Sequence, residues 1–394
     1  MSFFSFGKKE PSLSFVFDIR DTSITVAATK FFKDKKPQIV LCSNYKIESK
    51  DKSDYTLYIS EMLKTIEKAS VSMISELVKT GNKEKIGEYY LFFGSPWSIS
   101  QSKVIKIEKD RLSLVDEKFL KQIINKQEES FIDKIESETN EKNWVVIEEK
   151  IIQSKLNGYK VNKIHERKAK KIEIEFLISF IPKEIQDKLN GVIKQKIKTN
   201  SYSTIISSFS FLRDAFSDRN DFIYFDINDS ITDVYVVRDD VLCEISSFPI
   251  GEKDIIREIS KNTNTPEEIV SSLVNIKYDE NHDPKEDSRI DALVDVGLKY
   301  WLESFNSAIG KMCSIMNSPN NVFIMANSSI TKLFAEKMMK DGRGKEFEIL
   351  GVKINPYLIR EEMFNDLVNN AKAFNNESYV KLDVVFLDKI LRIK

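Results

Sequence analysis

The sequence predicts an α/β fold built from two similar halves. Two observations carry this. The first is a pair of Asp-led strand ends about two hundred residues apart, in the segments 14–25 and 222–234. Each is an apolar run (Phe15-Val16-Phe17, then Phe222-Ile223-Tyr224-Phe225) that ends in Asp-Ile, turns through polar residues and resumes at a Thr-bearing strand. That pattern is a β-hairpin with a carboxylate at its bend. The second observation is the alternation of strand-like and helix-like segments after each hairpin, the mark of a sheet covered by helices. An Asp at such a bend can hold a hydrated Mg²⁺, while turn N–H groups and hydroxyls face phosphate. Two such bends facing each other would make a nucleotide clamp.

The elements follow in order. Residues 13–18, 22–30 and 38–47 read as strands, with Lys33-Asp34-Lys35-Lys36-Pro37 as a turn. Residues 54–80 place apolar side chains at a spacing near 3.6, hence a helix. Residues 88–93 are a buried strand closed by Gly94-Ser95-Pro96. Then come a strand (101–108), a helix (116–138), strands 143–153, 159–164 and 170–180 around the Asn157-Gly158 turn, and a helix over 182–195. A linker strand and helix (202–216) lead to three strands and a helix in 221–260. Helices are predicted over 266–275 and 287–317, separated by a charged connector. Strand 321–326 precedes a helix over 330–340 and a Gly-containing loop, and 347–355 is read as a strand ended by Pro356. The apolar run 379–394 returns to the first half.

The paired bends resemble the two phosphate loops of the actin-like ATPase superfamily, whose usual turns read Asp-Ile-Gly-x-x-Ser and Asp-Ile-Gly-Gly-Gly-Thr-Thr-Asp. The segment Val241–Ile259, with its Ile250-Gly251 turn, resembles the strand, turn and helix that follow the second loop. Asn264–Val274 resembles the next helix, and Asn321–Phe334 resembles the adenosine loop. The chain resembles the bacterial branch that includes FtsA and PilM, because residues 94–181 read as an inserted α+β unit where that branch carries its SHS2 subdomain. The resemblance implies an actin-like, ribonuclease H-like duplicated fold. Its first half would be 11–93, completed by about 182–216 and 357–394, and its second half 217–356. It further implies phosphate- or Mg-facing positions at Asp18, Thr22, Ser23, Asp226, Thr232 and Asp233, with Asp18 and Asp226 as the metal poles. Gly251, Ala326, Asn327 and Ser328 would face a nucleoside.

The departures bear on function. Arg20 and Asp21 follow Asp18-Ile19 where the first loop should have Gly. Asn228, Asp229 and Ser230 replace the Gly run of the second, Ala326 and Asn327 replace the paired Gly of the adenosine loop, and Glu252 follows Gly251. Glycine lets backbone approach phosphate and adopt positive φ. Asn, Asp and Ser are expected to keep the bends at positive φ. Asp21 and Asp229, however, would each place a like charge near phosphate. At roughly 4 Å and an effective dielectric near 20, that costs about 4 kcal/mol. The expected cofactor is therefore none, or weakly held ATP with Mg²⁺, and the expected role a pseudo-ATPase scaffold. Self-association or a membrane-anchored protein partner in cell division or type IV pilus assembly is what the resemblance implies. The alternative is an active Mg-ATP-binding ATPase or switch.

Composition excludes other classes. Lys+Arg of 60 against Asp+Glu of 61 leaves a formal net charge of −1, so no basic field points to nucleic acid. Cys42, Cys243 and Cys313 lie far apart and fit no metal or disulfide spacing. A reducing cytoplasm, with a peripheral position at the inner face of the cell membrane, is the expected location. No apolar run is long enough to span a bilayer, and the start of the chain lacks the order of a signal peptide. His165 and His282 sit among Lys and Glu, so no Ser-His-Asp or Cys-His arrangement arises. Trp97, Trp144 and Trp301 read as core or interface. The run 382–394 is read as packing against the first half, with a membrane-surface helix as the alternative. Phe3, Phe4 and Phe6 beside Lys8 and Lys9 are a second short candidate anchor.

Overall fold

A computed structural model describes residues 13–48, 54–82, 84–139, 142–193, 197–276, 287–309, 319–326, 333, 337, 348–349, 352–370 and 378–393. The chain divides into two compact units. One comprises residues 1–94, 184–211 and 361–394, the other 95–183 and 212–360.

The first unit opens with β1 (Leu13–Ile19), β2 (Ser23–Lys30), β3 (Gln38–Lys46), α1 (Tyr55–Lys79) and β4 (Ile86–Phe93). The second takes over with β5 (Ile99–Val115), α2 (Glu117–Thr139), β6 (Trp144–Leu156), β7 (Tyr159–Lys160) and β8 (Arg167–Pro182). The chain returns to the first unit with α3 (Lys183–Val192), β9 (Lys198–Ser203) and most of α4 (Thr204–Ala215). β10 (Phe222–Ile227), β11 (Thr232–Arg238), β12 (Val241–Phe248), α5 (Glu252–Thr263), α6 (Glu267–Ile276) and α7 (Asp287–Ile309) follow in the second unit. After β13 (Asn321–Ala326), Glu348–Ile349 (β14) and Val352–Lys353 (β15) pair with each other, and β16 (Asn355–Leu358) rejoins the main sheet. β17 (Asn369–Asn370) and a C-terminal helix (Ser378–Ile393) close the first unit.

Apart from β17, which lies parallel to β3 in the first, the two main sheets share one topology. The first has the order β17-β3-β2-β1-β4-β9 and the second β12-β11-β10-β13-β16. In each, an antiparallel three-strand meander adds parallel strands beside its first member. β1 and β10 are buried along their whole length, which is why both read as continuous apolar runs. The second half's core places Phe225 and Phe248 around the stacked pair Trp301 and Phe305.

The inserted segment forms its own sheet, β5-β8-β6-β7. One face packs Phe176, Ile178 and Phe180 of β8 on Phe131 and Ile135 of α2. The C-terminal run packs as expected: Tyr379, Val380, Leu382, Val384, Phe386 and Leu387 are buried, against β1 and β2. No described helix is long and apolar enough to cross a membrane.

Some expectations change. β5 runs from Ile99 to Val115, well beyond 101–108, because β8 pairs with it past a register shift at Glu108. The strand predicted over 159–164 is only β7, Tyr159–Lys160. The single strand over 347–355 is instead β14, β15 and the start of β16. Pro356 lies inside β16, where an edge strand tolerates the missing N–H. Phe3, Phe4, Phe6, His282, Cys313 and most of the predicted 330–340 helix lie outside the described residues.

Candidate functional site

The two bends are built alike. Asp18 and Asp226 each occupy the penultimate position of the first meander strand. Asp18 lies opposite Thr25 on β2 and beside Phe92 on β4. Asp226 lies opposite Asp233 on β11 and beside Met325 on β13. Both bends close with the same bond: Arg20 N–H to the Ser23 carbonyl and Asn228 N–H to the Ile231 carbonyl, each at 2.9 Å. No residue of either bend has positive φ. The expected need for Gly, or for Asn and Asp standing in at positive φ, therefore does not arise. A bend of this shape admits Arg20 and Asn228 without backbone strain.

In the first unit Arg20 folds back on Asp18. Its Nε donates to Asp18 Oδ1 at 2.7 Å and a terminal nitrogen donates to Oδ2 at 3.1 Å, a two-point pair. Its guanidinium lies over the Tyr379 ring, 3.8 Å from the centroid. Gly94 passes beneath: a Cβ there would sit 3.5 Å from Arg20 Cδ and 3.3 Å from Thr204 Oγ1. Arg20 is 6% exposed and Asp18 1%. One turn on from Tyr379, Asp383 is fully buried and accepts a hydrogen bond from Ser207 Oγ at 2.6 Å. Burial, and then the negative charge of Asp18, push the Asp383 carboxyl well above the ordinary aspartate range.

The remaining first-bend residues serve the hairpin. Asp21 is 2% exposed and its carbonyl accepts the Tyr58 hydroxyl. The Thr22 carbonyl accepts Ile47 N–H at 2.8 Å, and Ser23 starts β2. A cation at Asp18 would compete with the Arg20 guanidinium, which already meets both carboxylate oxygens.

In the second unit Asp226 is fully buried and Asp233 is 2% exposed. Asp233 Oδ1 accepts Ser95 Oγ at 2.7 Å and also the Ser247 hydroxyl. Thr232 Oγ1 donates to the Ile250 carbonyl at 2.7 Å, so its hydroxyl holds the chain that leads into α5. Gly251 caps α5 and its N–H donates to Asp254 at 3.1 Å. The next two N–H groups, of Glu252 and Lys253, donate to the Asn228 and Asp229 carbonyls at 3.0 and 2.9 Å. Such helix N-terminal donors are the groups that otherwise bind anions. Lys253 also pairs with the Asp229 carboxylate at 3.1 Å, which offsets the charge expected to face phosphate. A Cβ on Gly251 would lie 2.4 Å from the Asn228 carbonyl oxygen, so the close approach made here is to the protein's own bend.

Of the nucleoside-facing candidates, Ala326 ends β13 and is 5% exposed, while Asn327 and Ser328 lie outside the described residues. No cluster of three or more metal-ligating side chains occurs among the described residues. Sequence reasoning missed Tyr379, Asp383, Ser207, Ser95 and Ser247. The available signal was a lone Asp in the apolar run Tyr379-Val380-Lys381-Leu382-Asp383-Val384, four residues after Tyr379 and so on the same helix face.

No protein-family model and no curated protein sequence matches the chain. Among solved structures, the PilM–PilN type IV pilus biogenesis complex aligns over 96% of this chain and 98% of its own, at 11% identity and a TM-score of 0.58. The ethanolamine utilization protein EutJ of Carboxydothermus hydrogenoformans aligns over 95% and 89%, at 10% identity and a TM-score of 0.43. A Bacteroides thetaiotaomicron protein with an actin-like ATPase fold and unknown function aligns over 92% and 93%, at 10% identity and 0.39. The chain has the actin-like ATPase fold.

Proposed function

We propose that this protein is a PilM- and FtsA-like actin-fold scaffold whose nucleotide site is degenerate. It works by binding a membrane-associated protein partner or by self-association, at the inner face of the cell membrane, in type IV pilus assembly or cell division. The observation that carries the reading is Arg20 on Asp18: a tethered guanidinium holds the carboxylate that a metal-nucleotide would need. Two contacts, one within each unit, speak against Mg-ATP. Both Asp18 oxygens are engaged, and the first N–H groups of α5 bond the Asn228–Asp229 carbonyls. The PilM–PilN similarity supports a role in protein contacts, since that structure is a pilus biogenesis complex. The alternative, an active Mg-ATP-binding ATPase or switch, requires Arg20 to turn from Asp18 to phosphate.

The 94–181 insert is proposed to serve contacts between molecules. It exposes Leu112 (60%), Leu114 (48%) and Tyr159 (78%). Sedimentation of the full-length double variant Leu112→Glu/Tyr159→Ser tests this. The expected result is a folded protein whose self-association or partner binding is reduced at least tenfold. An unchanged oligomeric state together with unchanged partner binding contradicts the contact role.

A further inference from the structure

Glu175 lies in the middle of β8, the central strand of the inserted sheet, opposite Val104 of β5 and Gln153 of β6. It is 3% exposed. Its Oε1 accepts the Leu242 N–H of β12 at 2.7 Å, while Oε2 is buried with no hydrogen-bond partner among the described residues. β12 is the edge strand of the second half's main sheet, and β5 packs beside it. At this seam, then, a carboxyl from one sheet takes the backbone donor that a further strand would otherwise take. Lys160 and Asp240 pair across the same seam at 2.8 Å, but in an exposed position where such a pair holds little. Ser95 reaches Asp233 and Ser247 at the other end of the junction.

We infer that Glu175 is a proton-operated latch between the inserted sheet and β12, seating the insert when its carboxyl is neutral and loosening it when it ionises. The asymmetry of its two oxygens supports this. Oε1 keeps its bond in either state, but ionised Oε2 would carry charge in a buried place with no donor among the described residues. The charged and titratable groups facing it are Lys155 of β6, Arg213 of α4, and Asp240 and Cys243 at and after the β11–β12 turn. Arg238 and Glu244 stand next to Cys243. Burial outweighs the Leu242 bond and the Arg213 charge and raises the Glu175 carboxyl to about 7.

The direction follows from linkage. With the docked group raised from 4.5 to about 7, docking is strongest below pH 4.5, weakens as the pH rises through 7 and levels off above it. The docking constant should fall by about tenfold per pH unit across that window, and by about 300-fold in all.

Hydrogen exchange of the full-length protein, corrected for intrinsic exchange rates, tests the latch at the Leu242 amide. Its protection should fall by about tenfold per pH unit from 5 to 7 and then level off. In Glu175→Gln it should be flat over the same range. In Arg213→Met, which removes a charge that favours the ionised form, the levelling should move to higher pH. If Glu175→Gln does not fold, the wild-type profile and the Arg213→Met shift decide alone. Protection independent of pH in the wild type overturns the latch. So does a wild-type slope that persists in Glu175→Gln, or a levelling that Arg213→Met leaves at its wild-type pH.

Discussion

Arg20→Ala is expected to destabilise the first unit by about 3–5 kcal/mol, as read from chemical denaturation, because it strips one partner from a buried ion pair. Asp18 is 1% exposed and gives both oxygens to the guanidinium. Without Arg20 a buried carboxylate would stand beside Asp383, which is already pushed toward its neutral form. The double variant Arg20→Ala/Asp18→Asn should recover much of the loss, since the charge that Arg20 balances is then gone. A loss below about 1 kcal/mol, typical of an exposed pair, would show that Arg20 is not holding the bend.

Gly251→Ala is expected to cost about 3 kcal/mol, the upper end for overpacking. The added Cβ would lie 2.4 Å from the Asn228 carbonyl oxygen and 2.5 Å from Asp229 carbon, both backbone atoms that cannot swing aside. The strain should push the 228–231 bend off α5 and break the bonds from Glu252 and Lys253, each worth about 1 kcal/mol. Gly191→Ala in α3 is the matched control. It has nothing within 4 Å and should be neutral or stabilising by about 1 kcal/mol, as helix propensity gives. Equal melting temperatures for the two variants would contradict the close contact.

The fold was legible where local pattern and burial agree. β1 and β10 are buried on both faces, so Phe15–Phe17 and Phe222–Phe225 stand out as unbroken runs, and the Asp after each marks the bend. The order of elements followed from these runs and from helical spacing in α1. What the sequence hid is non-local. Arg20 meets Tyr379, which lies at the other end of the chain, and nothing in the spacing of either segment joins them. Glu175 stands in the alternating stretch Lys171-Ile172-Glu173-Ile174-Glu175-Phe176, which reads as one apolar face and one wet face. The supposed wet face is partly covered, since Leu177, Ser179 and Ile181 on it are buried and Glu175 reaches β12. Pro356 looked like a strand end because an edge strand cannot be told from a central one by composition.

The Gly substitutions also needed coordinates for their meaning. On the proposed reading they go with two contacts: Arg20 is a cation at Asp18, and the α5 donors are turned to the protein's own carbonyls. On that reading these arrangements leave little for a nucleotide to bind. Titration calorimetry of the full-length protein with ATP and excess Mg²⁺ tests it most directly. No binding tighter than about 100 μM, or about −5.5 kcal/mol, is expected. A dissociation constant in the low micromolar range would contradict it, and would mean that Arg20 leaves Asp18 to meet phosphate.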